Sequence, residues 1–427
     1  MSEKSIPTPA PARMPRLNLE KSMAMYEAAK RLSPGGMMGI RRPYNFVVGE
    51  YPIFIERGHG GHIVDVDGND YIDMLCAYGP IILGYDETEI NEAVKAQMDK
   101  GFCFSLVQPL QNELQQRLVD LIPSAEMVIL VKTGSDATGV AVRIARGATD
   151  RDVILRCGYH GWHDWAVEVH GGVPQAIQDL TVEFEYGDLA DLEAKLEANR
   201  DRVAGIILTP VGHPLAKPVM APPPGYLEGV RALADRYGAV LIFDEIRTGF
   251  RVSMGGAQQR YGVTPDLSTF GKAMANGYAI SAVVGKEKYM KVCESKVFIS
   301  STFFPNSLEM AAAMKCLDLL EREGTLDRIW EKGTEFLAEL ERMVAATGVP
   351  ASVSGIPPMP YLTFNKVDGH YKERRDLFYA ETIRRGLFIQ PYHHWYICGR
   401  HTDEDLAKAL TAIREALEIV AETYPVP

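Results

Sequence analysis

The chain has 427 residues, 46% of them hydrophobic, and a formal net charge of −11. That length suits two domains, or one large domain with an annex, and the apolar content allows a sizeable core. The acidic balance argues against nucleic acid as a partner, because binding a phosphate backbone needs clustered Lys and Arg.

The elements follow in chain order. Pro7–Pro15 is rich in Pro and Ala and reads as a flexible tail or an arm lying on a partner subunit. His62–Ile72 alternates around Asp67-Gly68-Asn69, which predicts a hairpin. The run Asp65–Asp70 is a turn and not a calcium loop. Glycine stands fourth instead of sixth, and Cys76 occupies the place of the closing glutamate. Short apolar strands then alternate with amphipathic helices. Strands are predicted at Met127–Val131, Val153–Leu155, Ala204–Leu208, Ala239–Phe243 and Ile280–Val284, and helices at Asp191–Ala198 and Tyr226–Tyr237. This is the pattern of an α/β fold whose mostly parallel sheet has helices on both faces. Ser307–Thr347 reads as helical. Short strands near Met359–Phe364 and Leu387–Gln390 follow, then a last helix, Asp403–Thr423, with Thr402 as N-cap. The expected domains are an N-terminal arm with part of a small domain at 1–70, a large domain at 71–306 and a C-terminal small domain at 307–427. The six cysteines are scattered without a Cys-x-x-Cys, so neither a zinc site nor a disulfide framework is indicated, and a reducing cytoplasm is expected. No apolar run reaches the length of a membrane span.

The strongest chemical signal is Leu241–Arg251 followed by Asp266–Lys272. An apolar strand ends in the carboxylate Asp244. A second segment ends in a lone lysine, Lys272, after Gly271. That pair suits pyridoxal phosphate (PLP). The lysine amine can form a Schiff base with the aldehyde, and the carboxylate can keep the pyridine nitrogen protonated. Lys132–Thr138 follows a strand and opens a helix expected at Gly139–Arg146. Gly134 permits close approach and Ser135 can donate, so this turn offers a phosphate the N–H groups of a helix N-terminus. It lacks the Gly-Lys-Ser/Thr of a nucleotide P-loop. His160 and His163 could suggest a metal, but glycine lies between them and no further ligand is near, so no metal is expected.

The Asp-Glu, Gly, Asp and Gly-Lys order resembles the signature of class III aminotransferases of fold type I. Thr133–Ala137 resembles that family's phosphate turn, with Asp136 in place of the more usual glutamate. The resemblance implies further roles. Tyr159, before His160-Gly161, would stack on the pyridine ring, and Val211 would pack beneath it. Ser301–Leu308 is similar to a segment whose threonine, here Thr302, reaches the partner subunit's phosphate, so a homodimer with shared sites is implied. Pro305 and Ser307 depart from that pattern. Ser33–Gly36 and Tyr78–Tyr85 resemble the glutamate-1-semialdehyde aminomutase-like branch. Cys76–Pro80, Gly134–Thr138 and Gly271–Tyr278 resemble the fumonisin-type amine aminotransferases within it. The implied activity moves an amino group from a primary amine or amino acid to a keto acid such as pyruvate by a ping-pong mechanism. An aminomutase or epimerase of the same branch is the alternative. His393 stands where the aminomutase has a glutamate. Tyr392–Tyr396, including Trp395, reads as an aromatic pocket rim or as a buried turn. Arg41-Arg42 lies where relatives place a carboxylate-binding arginine, or reads as a solvated basic pair, and Tyr78 is expected to face the substrate.

Overall fold

The structure, a computed structural model, describes residues 11–212 and 218–426. The chain divides into two compact units. The first comprises residues up to Cys76 together with Glu331 onward, and the second runs from Ala77 to Trp330.

In the first unit, β1 (Ile55–His59), β2 (His62–Asp65) and β3 (Asp70–Asp73) form an antiparallel meander. Asp65 builds the turn expected at Asp67-Gly68-Asn69. Its Oδ1 accepts from the Asp67 and Asn69 amides at 3.0 and 2.9 Å, and its Oδ2 from the Tyr71 hydroxyl at 2.7 Å.

The second unit holds seven strands: β4 (Met127–Val131), β5 (Val153–Cys157), β6 (Thr181–Glu183), β7 (Val203–Leu208), β8 (Val240–Asp244), β9 (Leu267–Phe270) and β10 (Ser281–Gly285). Their order is β4-β10-β9-β8-β7-β5-β6. The strands from β9 to β6 are parallel, and β10 is antiparallel to both β9 and β4. β8 shows why such strands read as unbroken apolar runs. Leu241 and Phe243 enter one core with Leu192, Ile206 and Leu233, while Val240 and Ile242 enter the other with Val131, Ala141 and Ile144 of the helix Gly134–Thr149. Side chains alternate with period two, so Asp244 leaves the strand on the face that carries this helix. Burying a side chain such as Phe243 is worth about 1.5–3 kcal/mol.

The first unit resumes with the hairpin β11 (Ala351–Ile356) and β12 (Met359–Phe364), then β13 (Leu387–Phe388), which joins β3 in parallel. The last helix, Asp403–Thr423, starts at Thr402 with a reciprocal cap to Asp405.

One boundary differs from expectation, and one segment is described only in part. The boundary at 306 falls too early. The helix Leu308–Arg322 belongs to the second unit, where Met310, Ala312, Cys316 and Leu320 are buried and the Cys316 thiol reaches the Ala273 carbonyl at 3.3 Å. The arm expected at Pro7–Pro15 lies partly outside the described residues. Its described part binds its own unit: the Ala12 carbonyl accepts from Arg385 at 3.0 Å, and the Met14 amide donates to Glu381 at 3.2 Å.

Candidate active site

Close approaches within the second unit show which turns meet. A Cβ built on Gly134 would lie 3.2 Å from Ile246, and one on Gly271 would lie 3.2 Å from the same side chain. Ile246 therefore sits between the turn after β4 and the turn after β9, two residues beyond Asp244. A Cβ on Gly161, whose φ is +107°, would lie 2.3 Å from Ser135 Oγ. One on Gly158 would meet the Thr209 hydroxyl at 2.8 Å, just before Val211. Gly134, Ser135, Gly161, Asp244 and Lys272 thus gather at the strand ends, where ligands bind in open α/β sheets.

The turn after β4 is a capped helix start. Thr133 accepts from the Asp136 amide at 3.1 Å, and Asp136 accepts from the Thr133 amide at 2.8 Å. The shorter aspartate fills the family's glutamate position without loss of the cap. The helix runs 16 residues, so its N-terminus presents a full dipole end. Ser135 Oγ accepts from the Trp162 amide at 3.3 Å, which leaves its proton for an anion. Lys132 is engaged elsewhere, with Glu309 at 3.0 Å.

Asp244 is 4% exposed and held on both oxygens. Oδ2 lies 2.7 Å from His160 Nδ1, and Oδ1 accepts from the Ile246 amide at 3.1 Å and the Thr269 hydroxyl at 3.3 Å. These contacts fix the direction in which the carboxylate points. His160 is buried, its ring stacks at 12° on Trp165, and its Nε2 has no hydrogen-bond partner among the described residues. Sequence reasoning considered His160 only as a metal ligand and missed this contact. Only the strand order reveals it: β7 alone separates β5 from β8, which brings the turn after β5 to Asp244.

The neighbouring acid has another use. Glu245 is fully buried and accepts from the Thr248 hydroxyl and from the Ala257 and Gln258 amides at 2.8 and 2.9 Å. It ties the loop after β8 to the helix Gly256–Tyr261. Burial pushes its carboxyl up despite these donors.

Lys272 keeps some surface, but its amine is desolvated. Burial first, then the charges of Arg247 and Arg251, lower it to about 7, against the pull of Asp244. The residue has φ +47°, a left-handed backbone held by its surroundings. Gly271 is required before it, because a Cβ there would lie 2.5 Å from the Ser281 hydroxyl. Arg251 is buried and donates to the Gly79 carbonyl at 2.9 Å, next to Tyr78, which is buried with φ +69°. Tyr159 is 39% exposed, an open aromatic face near Asp244 and Arg247. Val211 is buried and Thr302 is exposed.

The first unit carries the remaining candidates. Arg41 is exposed, and Arg42 donates to the Met37 carbonyl at 3.3 Å. His393 is 9% exposed and stacks on His394 at 4.4 Å, with Nδ1 2.8 Å from the His394 carbonyl. Trp395 has no exposed surface, and its amide donates to Pro360 at 2.9 Å. It is a core residue that backs the turn.

Residues 45–417 match the family Aminotransferase class-III. The chain belongs to that family. It is similar to the 3-aminobutyryl-CoA aminotransferase of Cloacimonas acidaminovorans, with 60% identity over 94% of this chain and 98% of that one. It is 36% identical to the glutamate-1-semialdehyde 2,1-aminomutase of Methanothrix thermoacetophila, over 93% and 96% of the two chains. The PLP form of the Sphingopyxis sp. MTA144 FumI protein superposes with a TM-score of 0.90 at 29% identity, over 95% and 97% of the chains. This class-III enzyme is therefore a PLP-dependent aminotransferase of fold type I, and it passes an amino group from an amine to a keto acid.

The donor set fits that cofactor. A buried carboxylate, a desolvated amine and a helix N-terminus with two crowded glycines converge on one face. PLP, when bound, supplies an aldehyde for the amine and an electron-withdrawing pyridinium ring. Asp244 can hold a ring N–H⁺. Gly134, Ser135 and Gly161 can cradle a phosphate, and Tyr159 can cover a ring face. An amine near pKa 7 can accept and return a proton at neutral pH.

Proposed function

We propose that the amine donor is a 3-aminoacyl thioester and the acceptor a keto acid. The observation that carries this is the 60% identity to a 3-aminobutyryl-CoA aminotransferase across nearly the whole of both chains. It falls within the sequence expectation of a primary amine or amino acid as donor and a keto acid as acceptor. In this reading Lys272 carries the cofactor and moves the proton, and Asp244 holds the pyridinium. Tyr159 and Val211 cover the ring, and Gly134, Ser135 and Gly161 hold the phosphate. Tyr78 and His393 face the donor, Trp395 supports His393 from behind, and Arg41 or Arg42 takes the acceptor's carboxylate.

The test is the amine half-reaction of the holoenzyme with no keto acid present. 3-Aminobutyryl-CoA should give the 3-oxobutyryl thioester at least about tenfold faster than free 3-aminobutyrate gives its keto acid. Equal rates would remove the thioester from the proposal. Rapid conversion of glutamate-1-semialdehyde without a keto acid would favour an aminomutase instead.

We also propose a homodimer in which Thr302 serves the partner's phosphate. Leu106, Val107, Phe298 and Phe303 are large apolar side chains that are 81, 59, 81 and 59% exposed in the second unit. Mixing Lys272→Ala with Thr302→Ala chains should restore part of the activity, because one site of each mixed dimer carries neither lesion. Proven subunit exchange without recovery would rule this out. A cytoplasmic setting suits six cysteines that form no disulfide, and among the described residues no helix is long and apolar enough to cross a membrane.

A further inference from the structure

The first unit gathers three reactive side chains that transamination does not use. Cys76, Cys398 and His401 are each 1% exposed, and their two Sγ atoms and a ring nitrogen lie within 4.8 Å of one another. The backbone arranges this meeting. β13 runs parallel to β3, and beyond it the Tyr396 amide donates to the Met74 carbonyl at 2.6 Å. Cys76 and Cys398 each stand two residues past that bond. The Cys76 thiol turns back into the junction, 3.3 Å from the Asp73 carbonyl and 3.8 Å from that of Tyr396.

His401 is held in place. Its Nδ1 accepts from the Cys398 amide at 3.1 Å, and its Nε2 lies 3.1 Å from the Asp73 carbonyl. Gly61 makes room for the ring, because a Cβ there would lie 2.4 Å from His401 Cδ2. Both ring nitrogens are occupied, so the imidazole cannot ligate a metal without giving up a backbone bond. A hydrogen bond from Cys76, aided by His401, holds the Cys398 thiol well below its ordinary range against the effect of burial. A thiolate beside a second thiol is the arrangement that oxidises to a disulfide.

We propose that Cys76 and Cys398 form a redox-reactive dithiol, converted by hydrogen peroxide to a disulfide within the first unit. The Cys398 thiolate attacks one peroxide oxygen. An S–O bond forms, the O–O bond breaks, and hydroxide leaves to become water with the proton that Cys398 gave up. The Cys76 sulfur then attacks the Cys398 sulfur. The S–S bond forms, the S–O bond breaks, and the second hydroxide leaves as water with the Cys76 proton. Two thiols lose two electrons, and one peroxide gains them. Peroxide is small and uncharged, which suits a buried pair that larger thiol reagents do not reach. The cross-link fixes the chain where it enters the left-handed run Cys76, Ala77 and Tyr78, with φ of +47, +52 and +69°.

The experiment treats the wild-type holoenzyme with stoichiometric hydrogen peroxide, traps remaining thiols under denaturing conditions and maps peptides without reduction. The expected result is a Cys76–Cys398 linked peptide, a loss of 2 Da and full reversal by dithiothreitol. In Cys76→Ser, Cys398 should instead gain oxygen, as sulfenic or sulfinic acid. Two results would overturn the proposal. One is that both thiols stay alkylatable after exposed Cys103 has been oxidised. The other is zinc that co-purifies at one ion per chain and is released only when both thiols are exposed. The wild-type measurement stands by itself should the serine variant fail to fold.

Discussion

The loop region 244–272 and the turn 391–401 both bury polar side chains, yet they use them in opposite ways. In the first, Asp244 is held on both oxygens, and burial and two arginines lower the Lys272 amine to about 7. In the proposed function these groups serve a ligand outside the chain. In the second, the His393 and His401 rings turn onto carbonyls, and Trp395 is buried with its amide on the Pro360 carbonyl. Reactive groups that await a ligand leave valences open at a surface. Groups that build a core close them. The contrast predicts that changes in the first region injure chemistry, and changes in the second injure stability.

The sharpest break would come from Lys272→Ala. Covalent and acid–base roles vanish together, so turnover should fall at least about 10³-fold, while the unfolding midpoint of the apo chain stays close to wild type. Borohydride reduction of the wild-type enzyme should put the pyridoxyl group on Lys272, and an adduct on another lysine would end the assignment.

Trp395→Ala is the counterpart. Truncating a fully buried indole should cost about 3–5 kcal/mol of unfolding free energy, read by chemical denaturation. The folded fraction should keep most of its amine half-reaction. Intact stability with a collapsed half-reaction would reverse the contrast and make Trp395 a substrate contact.

Asp244→Asn comes next. Losing a charge-assisted contact should raise the barrier of the amine half-reaction by about 1.5–3 kcal/mol, with cofactor still bound through its phosphate. His160→Phe keeps a ring against Trp165 but drops the bond to Asp244, so it should give a smaller loss in the same half-reaction. Should Asp244→Asn leave that rate within a factor of two, the proposed role is wrong. Gly161→Ala forces a Cβ toward Ser135 at a left-handed position and should weaken cofactor retention by about 1–3 kcal/mol, measured as its dissociation constant.

The smallest effect is a pH break. In the proposed role only the neutral amine of Lys272 would react with the cofactor aldehyde, and its fraction grows as pH rises through the pKa. Reloading of the apoenzyme should therefore speed up with pH and level off above about 7. A rise continuing toward 10.5 would show an ordinary, solvated lysine.

The residues of the cofactor region were legible because the chemistry demands fixed residue types at strand ends. Asp244 ends an apolar run, Lys272 follows an obligatory glycine, and Ser135 opens a helix. The strands β4, β5, β7, β8 and β10 could be read because burial on both faces leaves unbroken apolar runs. β6 and β9 could not. β6 is three residues long, and β9, Leu267–Phe270, carries Ser268 and Thr269, whose hydroxyls are satisfied inside the sheet. His160 escaped because its partner is distant in sequence, and only strand order brings it to Asp244. The aromatic turn was ambiguous for a different reason: composition cannot say whether a ring faces a pocket or a core. The boundary at 306 failed because the helix after it is apolar on the side that packs within the second unit, which no linker composition announces.

The placement of β10 has a consequence for how the chain is made. β4 stands at a sheet edge and is held through β10, which lies far downstream. At about 5–20 residues per second, the ribosome leaves β4 without its partner for on the order of ten seconds. During that interval Met127–Val131 is a bare, uncharged β-forming segment, the kind that seeds aggregation. Glu126 and Lys132 bracket it with opposite charges, and in the finished fold each is engaged, by the Glu287 amide and by Glu309. The two residues that guard the nascent strand are thus the ones that lock it when the sheet closes.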